Sequence, residues 1–245
     1  MTPDEILAFL HRHRSIRRYT DDVVPDDVVR RAVAAGQAAS TSSAIQAYGV
    51  IRVVDPAIRE RLAELAGPQE KVALAGAFLV ICGDTRRHRL ACTRAGASYE
   101  ARLEAFLLSV IDASLFAQNM ALAFEAMGWG ICYIGGLRNH LPEVDEVLGT
   151  PEGVYPLFGM CVGRPEEVPG PRPRLPQESV LFTDRWGADE TVMSGVGEYD
   201  AAYRAYLEAR GAPARGWSEA MAGLFRRANR LDLAAHYTSK GADLS

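Results

Sequence analysis

A chain of 245 residues, 48% hydrophobic and 24% charged, has the usage of an ordinary globular protein with enough apolar residues for a substantial core. Its formal net charge of −4 excludes the broad positive field that nucleic acid or an anionic membrane would require of a partner, which leaves small-molecule chemistry as the default. Cys82, Cys92, Cys132 and Cys161 stand far apart, without a Cys-x-x-Cys pair or a histidine at ligand spacing, so free thiols in a reducing cytoplasm are expected, and no metal.

The chain starts Met1-Thr2-Pro3-Asp4-Glu5, acidic and without an apolar signal core, and no uninterrupted apolar run reaches membrane-spanning length. Neither secretion by that route nor a membrane-embedded protein is expected. Thr2, Pro3 and Glu5 supply an N-cap, a first-turn proline and a capping-box carboxylate, predicting a helix to about His13. Pro25-Asp26-Asp27 opens a second helix with a buried stripe at Val28, Val29, Ala32 and Val33 and with Gly36 near its end. Tyr48 to Asp55 alternates like a half-buried strand, and Pro56 begins a short helix to about Ala66. Residues 77–83, 130–135 and 155–163 are continuous apolar runs, as in strands buried on both faces, so helices must cover both sides of one sheet. About Glu100 to Met127 predicts one long helix, apolar almost all round, with Asp112 and Asn119 sharing nearly one azimuth. Such a helix belongs at the centre of a core or at a subunit interface. Pro165 to Pro176 is too rich in proline for regular structure. Helices from about Gly197 to Ala209 and Trp217 to Ser239 follow, joined by a mobile stretch from Arg210 to Gly216. The whole reads as one domain over 1–245 with a peripheral helical arm from about residue 197.

Four stretches could carry chemistry. His13-Arg14-Ser15-Ile16-Arg17-Arg18 joins imidazole, guanidinium and hydroxyl donors, a set suited to a phosphate dianion and equally to a solvated basic helix end. Ser40-Thr41-Ser42-Ser43, with Gln46 close behind, gathers the hydroxyls and amide that a polar ring system needs, although turn formers between a helix and a strand give the same run. Tyr133-Ile134-Gly135-Gly136-Leu137-Arg138 ends a buried strand, where paired glycines admit a close ligand or a plain tight turn. It is not Gly-x-Gly-x-x-Gly, so no Rossmann site is read. Arg172-Pro173-Arg174 sets two cations on a stiff, proline-rich crossing. Only Lys71 and Lys240 among 27 basic positions are lysines, so an isolated arginine says little by itself.

The order of these stretches, with Gln69, Ala117-Gln118-Asn119, Asn139, Pro156-Leu157-Phe158-Gly159 and Pro173-Arg174-Leu175-Pro176 between and after them, resembles the oxygen-insensitive NADPH nitroreductases and the related NADPH flavin reductases. The resemblance covers nearly the whole chain. It implies an α+β fold, a nitroreductase-like mixed sheet flanked by helices, in an intertwined homodimer with a non-covalent FMN at each interface and NADPH as donor. By that resemblance His13, Arg14, Ser15 and Arg17 would hold the FMN phosphate and its surroundings, with charge added by Arg174 and by Arg172, which stands where the family has lysine. Thr41, in place of a family serine, would bond the flavin ring and ribityl chain with Ser43 and Gln69. The backbone of Tyr133, Ile134, Gly135, Gly136 and Leu137 would line the redox face, with Arg138 beside it. No catalytic side chain is implied, because nicotinamide C4 and flavin N5 carry the hydride once stacked. Arg210 and Arg215 would read the NADPH phosphate, and Arg227 and Arg230 would lie near the acceptor pocket. The implied reaction is a ping-pong, two-electron reduction of nitroaromatics, quinones or related acceptors. Supply of free reduced flavin, or a non-catalytic flavin-binding sensor, are the alternatives.

Overall fold

The computed structural model describes residues 2–100 and 102–244. Met1 and Ser245, the ends of the expected domain, and Ala101, in the expected start of the long helix, lie outside the described residues. In chain order the elements are α1 (Pro3–His11), α2 (Asp26–Gln37), β1 (Tyr48–Val53), α3 (Pro56–Leu65), α4 (Glu70–Leu74), β2 (Ala77–Asp84), α5 (Arg86–Arg94) and α6 (Leu103–Ala126). Then follow β3 (Gly130–Ile134), α7 (Leu141–Leu148), β4 (Val154–Gly163), α8 (Asp189–Val192), α9 (Val196–Ala209), α10 (Trp217–Phe225) and α11 (Leu233–Ser239). The chain divides into two compact units, one of residues Met1–Val168 with Arg230–Ser245, the other Pro169–Asn229.

In the first unit the capping box of α1 forms as expected: the Glu5 N–H donates to the Thr2 hydroxyl at 3.3 Å and the Thr2 N–H to the Glu5 carboxylate at 2.7 Å. The helix stops short of His13 because the chain turns extended and bridges Ser15 to Ile131. The sheet runs β1-β2-β4-β3 with every strand pair antiparallel, and the Ser15–Ile131 bridge adds a parallel pairing. Alternate residues of β2 enter two different cores. Leu79 and Ile81 face α6 and α2 in one, while Phe78, Val80 and Cys82 join Leu62, Val72 and Val144 of α3, α4 and α7 in the other. Burial on both faces is why β2 reads as an unbroken apolar run. Gly36 lets α2 lie close on α6, since a Cβ there would stand 2.7 Å from both Met120 and Phe116.

In α6 the azimuth marked by Asp112 faces inward: Asp112 is fully buried with Phe116, Met120 and Phe124, while the opposite side exposes Leu103, Leu107, Ile111 and Leu115. By length and composition α6 is apolar enough to cross a membrane, although Asp112 and other polar residues interrupt its apolar run. Its packing against α2 and β2 and its buried carboxylate make it the core helix of this unit. A correction concerns the last predicted helix, which ends at Phe225 and restarts at Leu233, with Arg230 in the left-handed region at φ 55° between them. Tertiary contacts impose that break: Arg230 donates to the Asn139 side chain, and the Tyr237 hydroxyl donates to the Pro156 carbonyl at 3.1 Å.

In the second unit, α9 and α10 are tied by Asp200, whose carboxylate accepts from the Ser218 N–H at 2.8 Å. That bond holds the Asp200 pKa below its ordinary value.

Three of the four free cysteines are buried, and burial pushes the Cys82 thiol up to about 12 and raises Cys132 and Cys161 as well. Iodoacetamide applied to the native protein at pH 8 should therefore alkylate Cys92 alone, with the other three labelled only after denaturation, as read by peptide mass spectrometry. Labelling of Cys82 in the native protein would contradict the packing of β2.

Candidate functional site

Hydrophobic β3 delivers Tyr133 and Ile134 to the sheet edge, and the chain then enters a 3-10 turn, Gly135–Asn139. Gly136 packs on the end of α3: a Cβ there would lie 2.2 Å from the Ala66 carbonyl oxygen and 2.4 Å from Gln69 Nε2. Gln69 donates to the same Ala66 carbonyl at 2.6 Å, so its amide and the glycine pair share one locus. Arg138 is anchored by a β-bulge. The pairing of β2 with β4 shifts between Ile81 and Cys82, leaving Leu157 without a register partner, and the Leu157 carbonyl accepts from Arg138 Nη1 at 2.5 Å. Pro156, which has no N–H for a ladder, sits beside that bulge.

The result is a cleft of about 360 Å³ lined by Ser114, Gln118, Tyr133, Gly135, Arg138 and Phe158. Tyr133 and Phe158 meet edge to face with centroids 5.4 Å apart, and the Tyr133 hydroxyl points to Gln118 Oε1 at 3.5 Å. Burial, with the Glu125 charge adding to it, raises the Tyr133 pKa, so its phenol stays protonated. An aromatic wall, a glycine floor, an amide and a guanidinium suit a flat polar ring. Ile134 and Leu137 are buried. Nothing local in the sequence pattern singles out Gln118 or Phe158 as a cleft residue.

The 13–17 segment runs beside β3, with the Ile16 N–H donating to the Ile131 carbonyl at 2.9 Å. His13 Nδ1 lies 2.7 Å from Glu125, and the Arg17 N–H donates to Glu167 at 2.8 Å. Neither carboxylate was foreseen, because each is remote in sequence from its partner. Arg14 lines a separate cleft of about 340 Å³ with Phe9, Arg12, Ile16, Glu125 and Trp129.

The loop carrying Thr41 and Ser43 is built differently. Ser43, Ala44 and Gln46 all have left-handed backbones, with φ of 45°, 57° and 50°. Each costs a non-glycine residue on the order of 1–3 kcal/mol, strain that persists only where the surroundings enforce it. Among the described residues, the loop's hydrogen bonds beyond itself run to α5, α6 and the end of β2, and none reaches the 133–138 turn.

Arg230 lies in the first unit, where both Nε and Nη2 donate to Asn139 Oδ1 at 3.0 and 2.9 Å. Its pKa is lowered by desolvation first and then by the like charge of Arg138. The second unit carries Arg172, Arg174, Arg210, Arg215 and Arg227, all exposed. Arg172 and Arg210 flank one ring, each 5.7 Å from the Tyr206 centroid, so two cations expected at different phosphates share an aromatic neighbour. Among the described residues no group of three or more His, Cys, Asp or Glu is placed to hold a metal ion.

A helix-flanked antiparallel sheet with this cleft at the end of β3 defines the class. Residues 10–164 match the family model described as Nitroreductase family, and residues 172–245 match its C-terminal domain: the chain belongs to the nitroreductase family of oxidoreductases. It is 40% identical over 235 residues to the FMN reductase (NADPH) of Bacillus subtilis strain 168, covering 94% of each chain. It is 38% identical over 216 residues to the oxygen-insensitive NADPH nitroreductase of Salmonella typhimurium, covering 87% of this chain and 88% of that one. The solved NADPH:FMN oxidoreductase of Vibrio harveyi in complex with NAD+ superposes with a TM-score of 0.87 at 36% identity, covering 96% of this chain and 97% of the other.

Proposed function

We propose that this protein binds FMN and uses it to pass a hydride from NADPH to planar acceptors such as nitroaromatics and quinones, in alternating half-reactions. The observation that carries this reading is the cleft at the end of β3, whose residues fit a flavin: Gly135 lets backbone lie flat against a ring, Tyr133 and Phe158 wall it, and Gln118 and Arg138 offer polar contacts. When bound, FMN supplies the ring that accepts and returns two electrons; position and electrostatics are left to the chain. In this reading Tyr133, Ile134, Gly135, Gly136 and Leu137 present the redox face and Gln69 bonds the ring edge. His13, Arg14, Ser15 and Arg17 hold the phosphate. Arg138, held by the Leu157 carbonyl, keeps its charge beside the ring. Thr41 and Ser43 complete the site from a second copy of the chain. That homodimer is supported by the exposed apolar stripe of Leu103, Leu107, Ile111 and Leu115 and by a loop whose hydrogen bonds lead away from the turn. The free thiols suit the cytoplasm.

NADPH binding is assigned to Arg210 and Arg215, with Arg227 and Arg230 toward the acceptor. Arg210→Ala should raise the NADPH Michaelis constant roughly tenfold or more, the scale of a lost charge-assisted hydrogen bond, and leave the NADH constant nearly unchanged. Equal changes in both would remove the assignment. The function is tested by anaerobic titration of the yellow protein with NADPH: bleaching, reversed by nitrofurazone or menadione, is the expected result, and a flavin band that NADPH leaves intact would reduce the protein to a flavin binder. Parallel assays with free FMN measure the flavin-reductase reaction, the activity named for the Bacillus subtilis relative.

A further inference from the structure

The strained loop between α2 and β1 is held by a carboxylate that no flavin contact requires. Asp112, fully buried in the middle of α6, accepts from the Ser42 N–H at 3.3 Å with one oxygen and from the Ala47 N–H at 3.0 Å with the other. These two donors bracket the left-handed residues Ser43, Ala44 and Gln46. From the other side, α5 grips the same loop: His88 Nε2 lies 2.7 Å from the Ile45 carbonyl, and Arg87 donates to the Gln46 carbonyl at 3.3 Å. A charge in the middle of an apolar helix is costly to desolvate, and here its hydrogen bonds go to backbone donors of a strained loop rather than to a countercharge. The loop also closes on itself, with the Ile45 N–H donating to the Ser42 carbonyl at 2.9 Å, so a constraint at its two ends sets everything between.

We infer that Asp112 is a positioning residue for flavin binding: it clips the two ends of the Ser42–Ala47 loop so that Thr41 and Ser43 present their hydroxyls in the geometry the flavin needs, with His88 as a second clamp. The inference rests on the proposed ligand role of Thr41 and Ser43. Asp112 itself is fully buried, out of reach of a ligand. Its carboxylate supplies acceptors at both ends of a segment whose three left-handed residues would otherwise relax to ordinary backbone.

The test is a double-mutant cycle read as the FMN dissociation constant of the flavin-stripped, reconstituted protein, with apoprotein melting recorded alongside. Asp112→Asn, which keeps one acceptor oxygen, should weaken FMN about tenfold. Thr41→Val/Ser43→Ala should also weaken it, and adding Asp112→Asn to that pair should change the constant less than about twofold, because the clip would have nothing left to position. A tenfold loss that persists in the Thr41→Val/Ser43→Ala background, or an FMN constant unmoved by Asp112→Asn, would overturn the inference. Normal FMN binding by Thr41→Val/Ser43→Ala alone would instead remove the ligand role of the loop, a separate failure that takes the inference with it. Should Asp112→Asn not fold, His88 carries the same test: His88→Ala should weaken FMN and His88→Gln, whose amide N–H can reach the Ile45 carbonyl, should restore it. Equal affinities for those two variants would count against the clamp.

Discussion

Gly136→Ala is expected to yield protein that is both less stable and largely without flavin. The added methyl would stand 2.2 Å from the Ala66 carbonyl oxygen, a backbone atom at the end of α3 that cannot swing aside, and 2.4 Å from Gln69 Nε2, which could move only by abandoning its bond to that carbonyl. Overpacking of this kind costs roughly 1–3 kcal/mol, and here the displaced groups are the turn that forms the cleft and the amide proposed to bond the ring. Gly135→Ala is the informative neighbour. Its methyl would meet only the far end of Arg138, at 3.3 Å, so the fold should be retained while the new group stands on the cleft floor. The measurement is the ratio of flavin to protein absorbance together with the melting temperature. Gly136→Ala should lose both, and Gly135→Ala should lose flavin alone. A Gly136→Ala protein with a full flavin complement and an unchanged melting temperature would show that the cleft is not where FMN sits.

Arg17→Ala should separate FMN from riboflavin. Arg17 follows Ser15 on the extended segment beside β3, its N–H is pinned to Glu167 at 2.8 Å, and Glu167 also pairs with Arg18 at 3.7 Å, so the backbone that carries the guanidinium is fixed before any ligand arrives. Charge-assisted hydrogen bonds to a phosphate dianion are worth roughly 1.5–3 kcal/mol, or about 10- to 100-fold in affinity. The FMN dissociation constant should rise by about that factor, and the riboflavin constant, with no phosphate to lose, should hardly change. Equal losses for the two flavins would place Arg17 away from the phosphate.

The strands, the capped first helix and the long apolar helix were legible because each is a local pattern: a capping box, a continuous apolar run, a period of 3.6. The short helices α4 and α5 were not, being five and nine residues long and, in α5, dominated by arginines with no buried face to mark a period. The motifs His13–Arg17, Thr41–Ser43, Gln69 and Tyr133–Arg138 were visible as residue types in a particular order, which is what a family resemblance reads.

What the sequence determined by itself was therefore which segments are strands or helices and which short polar runs are candidates for a flavin, since both depend on near neighbours. Only the tertiary structure decided which side of α6 is buried. Asp112 lies on the inward side, because two backbone N–H groups some 65–70 positions away supply its hydrogen bonds. It likewise decided the break between α10 and α11, which no glycine or proline announces and which contacts to Asn139 and Pro156 impose. The same holds for the bulge that frees the Leu157 carbonyl for Arg138 and for the glutamates that meet His13 and Arg17. In each case the deciding interaction joins residues remote in sequence, and periodicity carries no information about a partner it does not contain.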